Sequence, residues 1–137
     1  MTTLAASTAI RELADAGVTP NPLGFWSANQ IHFAESWVYA ASGDESRADS
    51  ARDKVLAQTR DYQYRANVML HQALCTVAQG GVDEGARNAA AVIDSLGPSY
   101  RSNHIIETGR MVLQAVPKEH RERPPVAELR AVLTAGT

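Results

Sequence analysis

Apolar residues recur at helical spacing along most of the chain. Ala66, Met69, Leu70, Ala73, Leu74 and Val77 follow an i, i+3, i+4, i+7 pattern without a gap, and Ala86, Ala89, Ala90, Ile93 and Leu96 repeat it. His104, Ile105, Thr108, Met111, Val112 and Ala115 make a third such stripe. No segment alternates with period two while carrying the β-branched enrichment of a strand. Breakers are clustered, with no proline between Pro22 and Pro98. The pattern predicts an all-α chain of seven helices, over about 3–16, 25–41, 45–59, 62–79, 83–96, 99–116 and 125–135. Gly43 closes the second helix as a left-handed residue and Asp44 caps the third. Gly80-Gly81, Gly97-Pro98 and Pro117 end the next three, and Pro124-Pro125 suits the first turn of the last. Connections this short force consecutive helices into antiparallel hairpins, about 25–59, 62–96 and 99–135, after an N-terminal helix.

A repeat underlies the hairpins. With Gly43 set against Gly80, the run Trp37 to Ala48 falls on Leu74 to Gly85, Ala51-Arg52 on Asn88-Ala89, and Val55-Leu56 on Val92-Ile93. Small residues, Ala48 and Gly85, then stand where each hairpin crosses. A helix, a glycine turn and a second helix opening with a small residue resemble the tetratricopeptide repeat, although the offset here is 37 residues against about 34 in that family. The resemblance implies a short right-handed α-solenoid in which each hairpin buries its face on the next.

A narrower likeness rests on Met69-Leu70-His71-Gln72-Ala73-Leu74-Cys75 through Gly80, Asp83-Glu84-Gly85-Ala86-Arg87, Arg101-Ser102-Asn103, Val112 to Pro117 and Arg123 to Arg130. Over about residues 25–135 these resemble the C-terminal repeat domain of actinobacterial XRE-type helix-turn-helix regulators. That resemblance implies the sensor or adaptor part of a transcriptional regulator. Residues 1–24 offer one helix and a single arginine, so no DNA-binding domain is expected within the chain. Arginine outnumbers lysine 11 to 2, which fits a GC-rich coding background.

Composition narrows the picture further. A chain of 137 residues, 45% apolar and 20% charged, is expected to form one domain, residues 1–137, with a core that needs no metal or disulfide. The net charge of −2 leaves no basic excess for phosphates, so no direct nucleic-acid contact is expected. Cys75 is the single cysteine, which excludes an internal disulfide and a multi-cysteine metal site. No apolar run approaches the roughly 20 residues that span a bilayer, and Arg11, Glu12 and Asp15 break any signal-peptide pattern. A soluble, cytoplasmic protein is the expectation.

Candidate chemistry is sparse. His32, His71 and His104 each fall on the first helix of a hairpin, without the paired spacing of metal ligands, so no metal and no cofactor are expected. His71 and Cys75 share a helix face, but a cysteine in so apolar a helix reads as structural. The carboxylates are scattered, with no isolated pair, phosphate loop or nucleophile elbow. No catalytic residue is assigned.

The aromatics say more. Trp26, Phe33 and Trp37 share one face of the second helix, while Ile31, Ala34, Val38 and Ala41 form another stripe. In the resembled repeats the first helix of each hairpin lines a concave surface, with Trp37 and Leu74 inward. The 37-residue alignment then sets Trp26, Phe33 and Trp37 opposite Asn67, His71 and Leu74, with His104 and Glu107 on the third inner helix. This groove is the expected site for a peptide, a partner protein or a small apolar ligand. Open stack ends add the expectation of a homo-oligomer. The alternative is a small enzyme on the same scaffold, with His71 or His104 as acid/base beside Glu35 or Glu107. It requires a His–carboxylate pair within hydrogen-bond reach in a closed apolar pocket.

Overall fold

The computed structural model describes residues 28–135, and these form six α-helices with no strand among them. They are α1 (Ala28–Ala41), α2 (Glu45–Gln58), α3 (Tyr62–Ala78), α4 (Val82–Asp94), α5 (Asn103–Ala115) and α6 (Pro124–Ala135). The expected helix at 3–16 lies outside the described residues, as does Trp26. The expected sixth helix, 99–116, starts later than predicted. Pro98–Tyr100 form a separate 3-10 turn, and α5 starts only where the Ser102 side chain accepts the Ile105 N–H at 3.3 Å.

The two aligned turns are built alike. Gly43 (φ +75°) donates its N–H to Ala40 C=O and Asp44 donates to Tyr39 C=O. Thirty-seven residues later Gly80 (φ +98°) donates to Val77 and Gly81 to Thr76. Both are Schellman-type closures needing a left-handed residue, which glycine adopts at little cost. Asp44 then caps α2 by accepting the Arg47 N–H. The first helices of the three hairpins end at Ala41, Ala78 and Ala115, so the 37-residue spacing reaches the third hairpin as well. Sequence alignment misses that unit because Pro117 and a 3-10 turn at Lys118–His120 replace the glycine closure.

The first two hairpins pack their own two helices together, whereas α6 packs chiefly on α4 and only lightly on α5; α1, α3 and α5 lie side by side. Helix α3 touches α1, α2, α4 and α5. It is accordingly buried on most sides, through Ala66, Val68, Leu70, Ala73, Leu74, Cys75 and Val77. One core joins Leu70, Leu74, Ile93, Ile105, Val112, Val126, Leu129 and Leu133 across α3 to α6. A smaller one joins Phe33, Ala34, Val55 and Val68 across α1 to α3, and Trp37 packs against both.

Candidate functional site

Four of the expected groove residues do come together, over the helix row α1–α3–α5. The Phe33 ring lies 5.1 Å from the His71 ring, 5.9 Å from that of His104 and 5.4 Å from that of Tyr64, all centroid to centroid. A side chain on α1 thus reaches one on α5 across the face of α3. Beneath them runs a polar ladder. Ser36 Oγ and His71 Nδ1 share a hydrogen bond of 3.0 Å between α1 and α3. The Thr108 hydroxyl of α5 donates to Asn67 Oδ1 of α3 at 2.5 Å, and Asn67 Nδ2 donates to the Gln63 carbonyl at 2.8 Å.

These groups meet one another, not solvent. Asn67 is 1% exposed, His71 3% and Phe33 6%. Side chains therefore fill the seam that the sequence marks as a groove. Satisfied buried polar groups of this kind fix how neighbouring helices register, because slippage would strand a donor or acceptor in an apolar layer. Leu74 is buried in the larger core, and Trp37 is half-buried between the two cores. His104 is exposed over the seam. Glu107 turns away from it, exposed and ion-paired with Arg110. Trp37→Ala should therefore lower fold stability by about 2 kcal/mol, somewhat less than a fully buried tryptophan. A urea midpoint shift measures this, and an unchanged midpoint would contradict the packing assigned to Trp37.

The electrostatics oppose acid–base work. Burial, then the charges of His104 and Arg52, lowers the His71 pKa to about 3, so its imidazole is neutral at physiological pH. Partial burial also lowers His104. Burial raises the Cys75 thiol, and Glu45 and Asp49 on α2 raise it further, partly offset by Arg52. A thiolate–imidazolium couple needs the opposite displacement of both groups. His71 Nδ1 is hydrogen-bonded to a hydroxyl, that of Ser36, not to a carboxylate. The His–carboxylate contact among the described residues is His32 Nδ1 to Glu35 at 3.1 Å, partly exposed and within one helix. Those residues also include no group of three or more His, Cys, Asp or Glu placed to hold a metal ion, and no helix long and apolar enough to cross a membrane.

A different surface carries the exposed apolar side chains. Tyr62 and Met69 are each 38% exposed and Tyr100 is 54% exposed, the large apolar residues most open to solvent among those described. Tyr62 and Tyr100 meet edge to face, with ring centroids 5.3 Å apart. Tyr62, Arg65, Met69 and Gln72, all exposed, follow one another at three- and four-residue steps, so they form an open stripe along α3 that half-buried Thr76 continues. Sequence reasoning placed Met69 in the apolar stripe of this helix and passed over Tyr62 and Tyr100. The available signal was the amphipathic remainder of α3, a narrow face carrying an aromatic, a cation and a methionine.

The described residues define an all-helical protein of six α-helices, with no strand among them. Comparison of the chain with family models, with curated proteins and with solved structures gives no match.

Proposed function

We propose that the chain is a non-catalytic binding module of the helical-repeat type, its hairpins stacked as a short right-handed, tetratricopeptide-like solenoid that takes a peptide or protein partner. The recurrence of the turn closures and helix ends at 37 residues supports the repeat reading. The observation that carries the binding reading is the open stripe of α3, where Tyr62, Met69 and the adjoining Tyr100 leave apolar surface in water on a helix otherwise largely buried. The enzymatic alternative has less support, because the imidazole in the closed seam is held neutral by burial and bonded to a hydroxyl.

Selection of displayed peptides on the chain tests the binding reading. Enriched peptides should lose at least tenfold in affinity for Met69→Arg, which leaves the helical circular dichroism unchanged because Met69 is an exposed residue outside both buried clusters. Absence of any enriched peptide, or equal affinity for the variant, would overturn the reading.

A role as the sensor or adaptor part of a cytoplasmic transcriptional regulator rests on the resemblance carried by Met69 to Cys75, Asp83 to Arg87 and Arg123 to Arg130. An in-frame helix-turn-helix segment in the coding sequence just upstream would support it.

A further inference from the structure

We infer that Tyr62, Tyr100, Arg65 and Met69 form a docking surface for an acidic peptide segment, with apolar side chains seated on the tyrosine pair and on Met69 and carboxylates meeting Arg60 and Arg65. The inference rests on the binding-module reading and names the partner for that surface.

The apolar contribution follows from geometry. Tyr62 and Met69 are seven residues apart on α3, hence about 10 Å along its axis. Three residues of an extended peptide cover about that distance. Edge-to-face contact leaves part of each tyrosine ring open beside the other, and the two rings are 38% and 54% exposed. Tyrosine is among the residues that most often anchor binding.

The charge contribution follows from which cations are already committed. Arg101, next to Tyr100, is paired with Asp94 and donates to the Leu96 carbonyl. Arg110, Arg123, Arg52 and Arg47 also have carboxylate partners. Arg60 and Arg65 are exposed and have no ion-pair partner among the described residues. They flank Tyr62 in sequence, and Arg65 stands between Tyr62 and Met69 on the open stripe. Of the acidic groups near this surface, Asp94 pairs with Arg101, and Asp61 accepts the Gln63 N–H at 2.8 Å as the cap of α3. The chain as a whole carries −2, so any attraction of an acidic segment is local, and Arg60 and Arg65 are the cations that flank the tyrosine pair in sequence. A small anion would find no enclosing walls on such an open face, whereas a chain can span it.

Two synthetic 12-residue peptides, identical in a Phe and a Leu three residues apart but flanked by glutamates in one and lysines in the other, test this on the full chain by fluorescence anisotropy. The glutamate peptide should bind at least tenfold tighter. That preference should shrink as salt rises from 50 to 500 mM, since exposed charges are screened. Arg65→Glu should abolish or reverse it, and Tyr62→Ala should weaken both peptides alike. Equal binding of the two peptides would overturn the acidic partner while leaving a binding module standing. Failure of both, in a chain that also enriches no displayed peptide, would overturn both readings. Binding to vesicles of 30% phosphatidylserine with no affinity for either peptide would assign the surface to a membrane and overturn the peptide.

Discussion

Gly85→Leu should destabilise the fold by about 3 kcal/mol or more, the upper range for overpacking a close-packed contact. Gly85 is buried in the first turns of α4, where that helix crosses α3. A Cβ there would stand 2.4 Å from Val77 Cγ2, 2.8 Å from the Ala73 carbonyl oxygen and 3.1 Å from the Val77 nitrogen. Two of those three atoms are backbone of the central helix, so no rotamer change relieves the overlap. Even Gly85→Ala should destabilise, despite the roughly 1 kcal/mol that alanine gains over glycine inside a helix. Gly109 is the instructive contrast. Its Cβ would meet Ile93 Cδ1 and Leu133 Cδ2, each at 2.7 Å, and both are ends of side chains that can turn aside. Gly109→Ala should therefore lose less than Gly85→Ala. Ala48→Leu, at the equivalent crossing of the first hairpin, should lose about 1–3 kcal/mol. Urea midpoints of the four variants give the order, and a Gly85→Leu midpoint equal to wild type would refute the crossing.

Acid should destabilise the protein through His71, and the sign follows from its burial. Above about pH 6.5 the imidazole is neutral in both the folded and unfolded chain and contributes no pH dependence. Below that the unfolded chain takes up a proton, whereas the folded chain does not until about pH 3. Stability is therefore lost as pH falls between these values, by up to about 1.4 kcal/mol per unit. By pH 4.5 the loss amounts to roughly 2–3 kcal/mol. His104 is also lowered by burial and acts in the same direction. The groups that make the seam hostile to charge come from three helices: His71 itself on α3, His104 on α5 and Arg52 on α2. His71→Gln removes the titrating group, and any packing defect it brings adds equally at every pH. The stability gap between wild type and variant should therefore move in the variant's favour by about 2 kcal/mol from pH 7.5 to 4.5. A gap independent of pH would mean that water or the folded state accommodates the imidazolium.

Helix content was legible in the sequence because it depends on local signals. The apolar stripes, the prolines and the pairs Gly43-Asp44 and Gly80-Gly81 each act within four or five residues, and α2, α3, α4 and α6 fall within two residues of the spans those signals mark. The start of α5 did not, because the Gly97-Pro98 breaker sets it at 99 whereas the cap that decides the boundary is a single side chain, Ser102. The recurrence of the turn closure, too, was readable where a left-handed glycine marks it, and unreadable after α5, where a 3-10 turn stands in place of the glycine.

The site divides along the same line. Sequence spacing brought Phe33, Asn67, His71 and His104 to one seam, since helix register alone determines which faces look inward. Whether that seam is open depends on how closely α1 and α5 approach across α3, and this approach buries Phe33 and His71. Interhelical distance is set by small residues and long-range packing that no local window contains. Only the tertiary structure, therefore, turned the expected groove into a filled layer and left Tyr62, Met69 and Tyr100 in solvent.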